Sequence, residues 1–157
     1  MNLVALVTVA GLAGLFAGAM SIIFAAPSRA VLPSFCAGFV ARLSRDALVA
    51  AGADVILATL VAAVLVGLIG EALVRRRIGS PVVVVSALVP LGAALPLFRV
   101  IVDFLRISSL PAAKLALLPQ AMLSDLGRVF TTTAAIGLGV FMAAYAGRFM
   151  RRESLQD

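Results

Sequence analysis

Residues 89–106 read VPLGAALPLFRVIVDFLR, and the fold turns on how this stretch is read. It completes an apolar run, Val82–Phe98, of membrane-spanning length. Yet it holds Pro90, Gly92 and Pro96, and it runs on into Arg99, Asp103 and Arg106. A proline inside a helix offers no N–H, and its ring clashes with the preceding turn, so main-chain carbonyls are released there. In hydrocarbon, released carbonyls persist only where protein or water satisfies them. Interrupted helices of secondary transporters bind polar solutes near the midplane in this way. A plain proline kink is the other reading of the same spacing. Arg99, Asp103 and Arg106 follow one another at spacings of four and three, which places them on one helical face. They suit either an anchor whose arginines reach the headgroups or the charged mouth of a solute path.

The composition points the same way. The chain has 157 residues, of which 63% are hydrophobic and 13% charged. A soluble domain is about half apolar and about a quarter charged, so one soluble core cannot bury this much apolar surface. A bilayer is the natural solvent. The net charge of +6 does not mark a nucleic-acid binder. The cations cluster at the ends of apolar runs and form no basic face with interleaved aromatics. With no histidine, a single cysteine, Cys36, and no phosphate-binding glycine motif, the usual nucleophilic and metal-ligating constellations have no residues to build them. The sequence predicts no enzyme and no cofactor.

Outward from the opening stretch, further apolar runs appear. The first 28 residues carry no charge, and Leu3–Ala26 is long enough to span. Without a basic lead it reads as a retained helix rather than a cleaved signal. Gly14 and Gly18 form a G-x-x-x-G pair that lets a second helix backbone approach closely, and Gly11 precedes them. Residues 30–52 are ambiguous, because Arg42, Arg45 and Asp46 interrupt an otherwise apolar segment. That segment is either an interfacial helix or a span that turns its charges to protein or a cavity. Val55–Gly70 is a clear run closed by Glu71 and Arg75, Arg76 and Arg77. Residues 108–128, with Pro111 and Pro119, read as an amphipathic connector, with Asp125 and Arg128 as a helix-start pair. Val129–Gly147 is the last span, followed by Arg148, Arg151 and Arg152.

Cytoplasmic loops are enriched in Lys and Arg, which puts residues 75–77 and the C-terminus inside. Five spans then place the uncharged N-terminus outside and Arg29 inside. Four spans, the alternative, leave Arg29, Arg42 and Arg45 outside.

The order of motifs resembles a known family. PSRAVL (27–32) ends the first helix, LSRDAL (43–48) marks the charged one, and LVGLIG (65–70) the third. A proline-containing fourth helix then ends in LRISSL (105–110), before a last helix with a basic end. Over about residues 1–152 this is similar to the threonine/serine exporter family, in particular to the small subunit of its split, two-chain form. The matching positions are Arg29, Gly38, Ser44, Arg45, Gly67, Gly70, Pro90, Arg106 and Ser108. Where that family carries a Pro-Gly pair, this chain has Ala93 and Ala94, with Pro96 following. The resemblance implies five spanning helices, a cytoplasmic C-terminus, a larger partner subunit, and export of threonine and serine or of small dicarboxylates such as succinate.

The expectation is thus an all-α, polytopic helical bundle in a bacterial cytoplasmic membrane. It has five spans, the fourth broken by prolines, one membrane domain over residues 1–152, and a short cytoplasmic tail at 153–157. Its expected function is that of an exporter subunit acting on a small polar substrate beside a larger subunit or further copies of itself. A dicarboxylate exporter subunit and a non-transporting scaffold are the rivals. The residues expected along the transport path are Arg42, Arg45, Asp46, Pro90, Pro96, Arg99 and Asp103. Those expected to pack helices are Gly14, Gly18, Gly67 and Gly70.

Overall fold

The structure, a computed structural model, describes residues 3–75, 81–92, 94–106 and 118–153. The arginines at 76 and 77, Ser108, Pro111 and the tail at 154–157 lie outside the described residues, as does the side chain of Arg106. The elements are α1 (Leu3–Ile23), α2 (Ser28–Ala50), α3 (Val55–Arg75), α4 (Pro81–Leu88), a 3-10 turn (Val89–Leu91), α5 (Ala94–Arg106) and α6 (Leu118–Glu153). No strand occurs among the described residues.

Among the described residues, three helical stretches are long and apolar enough to cross a membrane: Leu3–Ile23, Val55–Val74 and Pro119–Phe149. A fourth is added if Pro81–Leu91 and Pro96–Leu105 count as one span. The described residues are therefore all-helical, with three to four candidate spans.

Residues 1–91 with 135–157 form one compact unit and residues 92–134 another. The interior of the first unit is made mostly of alanine: Ala10, Ala17, Ala30, Ala41, Ala58 and Ala62 are fully buried. Large apolar side chains such as Leu12, Leu15, Phe16 and Ile22 point outward instead. A soluble protein buries its large side chains. Small residues inside and bulky apolar ones outside suit a lipid solvent, where helices gain by close backbone approach rather than by hiding apolar surface.

Two seams show this. On α1 the buried row Ala10, Ala13, Gly14, Ala17, Gly18, Ser21 repeats at spacings of three and four. It packs on α2, where Gly14 and Gly18 lie against Phe35 and Gly38 lies against Ala13, Gly14 and Ala17. A Cβ on Gly14 would lie 2.9 Å from the Phe35 carbonyl oxygen, and one on Gly38 would lie 2.5 Å from the Ala17 Cβ. Gly18 is looser, and Gly11 meets nothing. The second seam joins α3 to the last part of α6. Gly67 lies against Ala143, and Gly139 against Ala63 and the Leu60 carbonyl. Gly70 receives the Val84 side chain of α4.

Short turns join the first three helices. Ala26 N–H returns to Ser21 O and Ala25 N–H to Ile22 O, with Ala25 at φ 54°. The same closure ends α2, where Ala53 bonds Leu48 O and Gly52 bonds Val49 O, with Gly52 at φ 92°. Both follow the six-to-one pattern that closes helix C-termini with one left-handed residue. Asp54 then caps α3, its Oδ2 accepting from Ile56 N–H at 2.9 Å.

The structure departs from the sequence reading at residues 118–128. From Leu118 onward this segment is helix, continuous with the last span in α6. Asp125 and Arg128 therefore sit within the helix rather than at its start. Pro119 falls in the first turn, where a missing N–H costs nothing, so it starts this helix instead of separating a connector from it.

Candidate functional site

The polar site belongs to the first unit and forms where α2 passes the end of α4. On α2, Arg42, Arg45 and Asp46 are spaced by three and four residues and so share one side of the helix. Arg45 also continues the row of Gly38 and Ala41, the face that α2 turns to its neighbours. Opposite them, α4 stops at Leu88 and a 3-10 turn carries the chain through Pro90. Pro90 has no N–H to return to the Ser86 carbonyl four residues back. The last carbonyls of any helix also lack helical donors and carry its negative dipole end.

The two arginines meet those carbonyls. Arg42 donates through Nη1 to Pro90 O at 3.4 Å, and Arg45 donates through Nη1 to Leu91 O at 3.4 Å. Arg42 also donates through Nε to Asp46 Oδ2 at 2.8 Å. This ion pair is partly shielded, with side-chain exposures of 30% for Arg42 and 16% for Asp46. Among the described residues Arg45 forms no ion pair. The arrangement thus sets two guanidinium groups against one carboxylate and one helix end. The 2.8 Å bond is of full strength for a charged pair, whereas 3.4 Å is long for N–H···O and correspondingly weak. The carbonyl contacts are the parts a competing oxygen can displace.

One turn before the break sits Ser86. It is fully buried, as are Val83, Ala87 and Leu91, and among the described residues its Oγ has no hydrogen-bond partner. Neighbouring buried hydroxyls behave differently. Ser21 donates to Gly18 O at 2.7 Å, Ser34 to Ala30 O at 2.9 Å and Thr59 to Val55 O at 2.7 Å.

Of the residues expected along the path, the structure brings together Arg42, Arg45, Asp46 and Pro90. Pro96, Arg99 and Asp103 belong to α5 in the second unit, where Arg99 is exposed and Asp103 half-buried. The sequence reading did not single out Leu91, whose contribution is a main-chain oxygen, nor Ser86. A signal for Ser86 was present, since it stands four residues before a proline. Among the described residues no three His, Cys, Asp or Glu side chains converge as metal ligands. An open groove between α1 and α2, lined by Leu15, Ile22, Val31 and Phe35 with Ser28, is mostly apolar and holds no charged side chain.

No family model, no curated protein and no solved structure matches the chain.

Proposed function

We propose that this chain is a membrane-embedded subunit of a secondary exporter of small polar solutes, working with a larger partner subunit. The observation that carries the reading is the pair of arginines held against the carbonyls of Pro90 and Leu91. A charged group within a membrane segment is expensive and faces a partner or an aqueous path. Pro90 is nine residues from Pro81, about 13 Å at 1.5 Å per residue. Arg42 is eight residues from Ala50, about 12 Å by the same rise. Both distances favour a level near the middle of a hydrocarbon core about 30 Å thick.

In this reading the chain crosses five times, with α2 as the second span and α4 with α5 as a fourth, proline-broken one. The length of α2 supports this. Its 23 residues extend about 34 Å, and it packs along α1 after a short turn. A second short turn then leads into α3. The N-terminus is outside, and the C-terminus faces the cytoplasm of a bacterial cell. The sequence resemblance favours threonine and serine as solutes. The excess of guanidinium over carboxylate also suits a dicarboxylate such as succinate, the second reading.

Efflux tests the proposal. Cells lacking their own exporters are loaded with a threonine-containing dipeptide, and external threonine is followed. The expected result is efflux when this chain and its large partner are both present and none with either alone. No efflux with both chains in the membrane overturns the threonine assignment, and the same assay with succinate then decides between transport and a scaffold role.

A further inference from the structure

The Ser86 hydroxyl is unlike the other buried hydroxyls of the unit, and the difference points to a ligand. Serine in a helix readily turns its Oγ onto a carbonyl three or four residues back, as Ser21 and Ser34 do. Ser86 is fully buried and does not. A buried polar atom without a partner destabilises the fold, so a serine whose only role is to fill space is better replaced by alanine. Ser86 belongs to the last turns of α4, and Pro90 follows four residues later in the 3-10 turn, about 6 Å on along the chain's helical path. Ser86 therefore precedes by four and five residues the two carbonyls that the arginines hold.

Resting on the transport reading above, we infer that Ser86 is a solute-contact residue of the site at the Pro90 turn. The ligand it fits is a small carboxylate carrying a second hydrogen-bonding group. The carboxylate takes Arg45 from the long Leu91 contact, and the second group reaches the hydroxyl, which can donate or accept. The present arrangement is the closed one, with Ser86 shut off from solvent. Ligand entry requires the turn to part from α2, which gives up two 3.4 Å contacts and the packing of the buried Leu91.

The test uses the full chain with its partner subunit in a Cys36→Ala background, so that the introduced thiol is the one thiol of the chain. Two variants are compared. Ser86→Ala is expected to raise the half-saturating internal threonine concentration about tenfold, the loss of roughly one hydrogen bond. It should leave the maximal rate within about twofold and the melting temperature in detergent unchanged or higher. The thiol introduced by Ser86→Cys is expected to react with a small anionic methanethiosulfonate, and threonine or succinate at saturation is expected to slow that reaction. An unaltered half-saturation in Ser86→Ala, or an inert thiol, overturns the assignment of Ser86 while efflux by the unsubstituted chain keeps the transport reading. If the unsubstituted pair moves neither solute, the transport reading falls. The labelling arm then still decides Ser86, because a thiol unprotected by either solute shows no ligand contact.

Discussion

Arg45 reaches Leu91 O with one guanidinium nitrogen at 3.4 Å and forms no ion pair among the described residues, whereas Arg42 is committed to Asp46 at 2.8 Å. The two arginines should therefore respond differently to substitution. Asp46→Ala leaves Arg42 charged and half-paired in a shielded place, and the expected cost is about 1–3 kcal/mol of stability, read as a lower melting temperature in detergent. Arg45→Ala removes only the long contact. Its expected effect is at least about a tenfold loss of efflux, more than 1.4 kcal/mol, with an unaltered amount of chain in the membrane. Arg45→Lys retains charge but not the planar fork and is expected to fall between. If Arg45→Ala instead depletes the chain from the membrane, the arginine is a structural strut and the scaffold role gains. Another pair of residues tests the turns. Ala25 holds a left-handed φ of 54° that glycine adopts freely, and Gly52 holds 92°. Ala25→Gly is expected to stabilise by up to about 1 kcal/mol and Gly52→Ala to destabilise by about as much.

At the scale of the helix, the α1–α2 seam depends on residues too small to register in a hydropathy profile. Gly38→Ala would set its new methyl 2.5 Å from the Ala17 Cβ and 3.2 Å from the Ala13 carbonyl. The expected cost is about 1–3 kcal/mol, measured by thermal unfolding. Gly11→Ala meets nothing and is expected to be neutral, or to stabilise by up to about 1 kcal/mol through helix propensity. The sequence made parts of this legible for stated reasons. Long uncharged runs located α1 and α3, because length and hydropathy decide a span. The G-x-x-x-G spacing pointed to Gly14 and Gly18 alike, yet Gly14 lies tight on α2 and Gly18 more loosely; glycine spacing does not say how closely each position is covered. The cluster at 42–46 was legible because charge in an apolar helix is costly. Its carbonyl partners were not, since a main-chain oxygen looks the same at every residue. The early start of α6 was missed because Pro119 was weighed as a breaker, although proline in a first turn serves as a start.

For the whole molecule, the number of spans decides what the arginine site can do. Among the described residues three helical stretches are long and apolar enough to cross, and α2 is not among them. If α2 lay along the interface, Arg42 and Arg45 would sit at headgroup level, and the Pro90 turn they hold would be surface structure with no access path to control. If α2 crosses, its two short end turns lie on opposite sides of the bilayer and the arginines lie between them. The turns supply the test. In a Cys36→Ala background, one thiol is placed by Ser28→Cys and another, in a separate chain, by Ala51→Cys. Each is challenged in intact cells with a membrane-impermeant thiol reagent. A crossing α2 predicts that the thiol from Ala51→Cys reacts from outside and that the thiol from Ser28→Cys reacts only after the membrane is opened. Equal reactivity of the two places both turns on one side, removes α2 from the bilayer, and with it the reason to expect a buried solute at Arg45. The experiment needs neither substrate nor partner subunit, so its outcome constrains the transport reading before any solute is assigned.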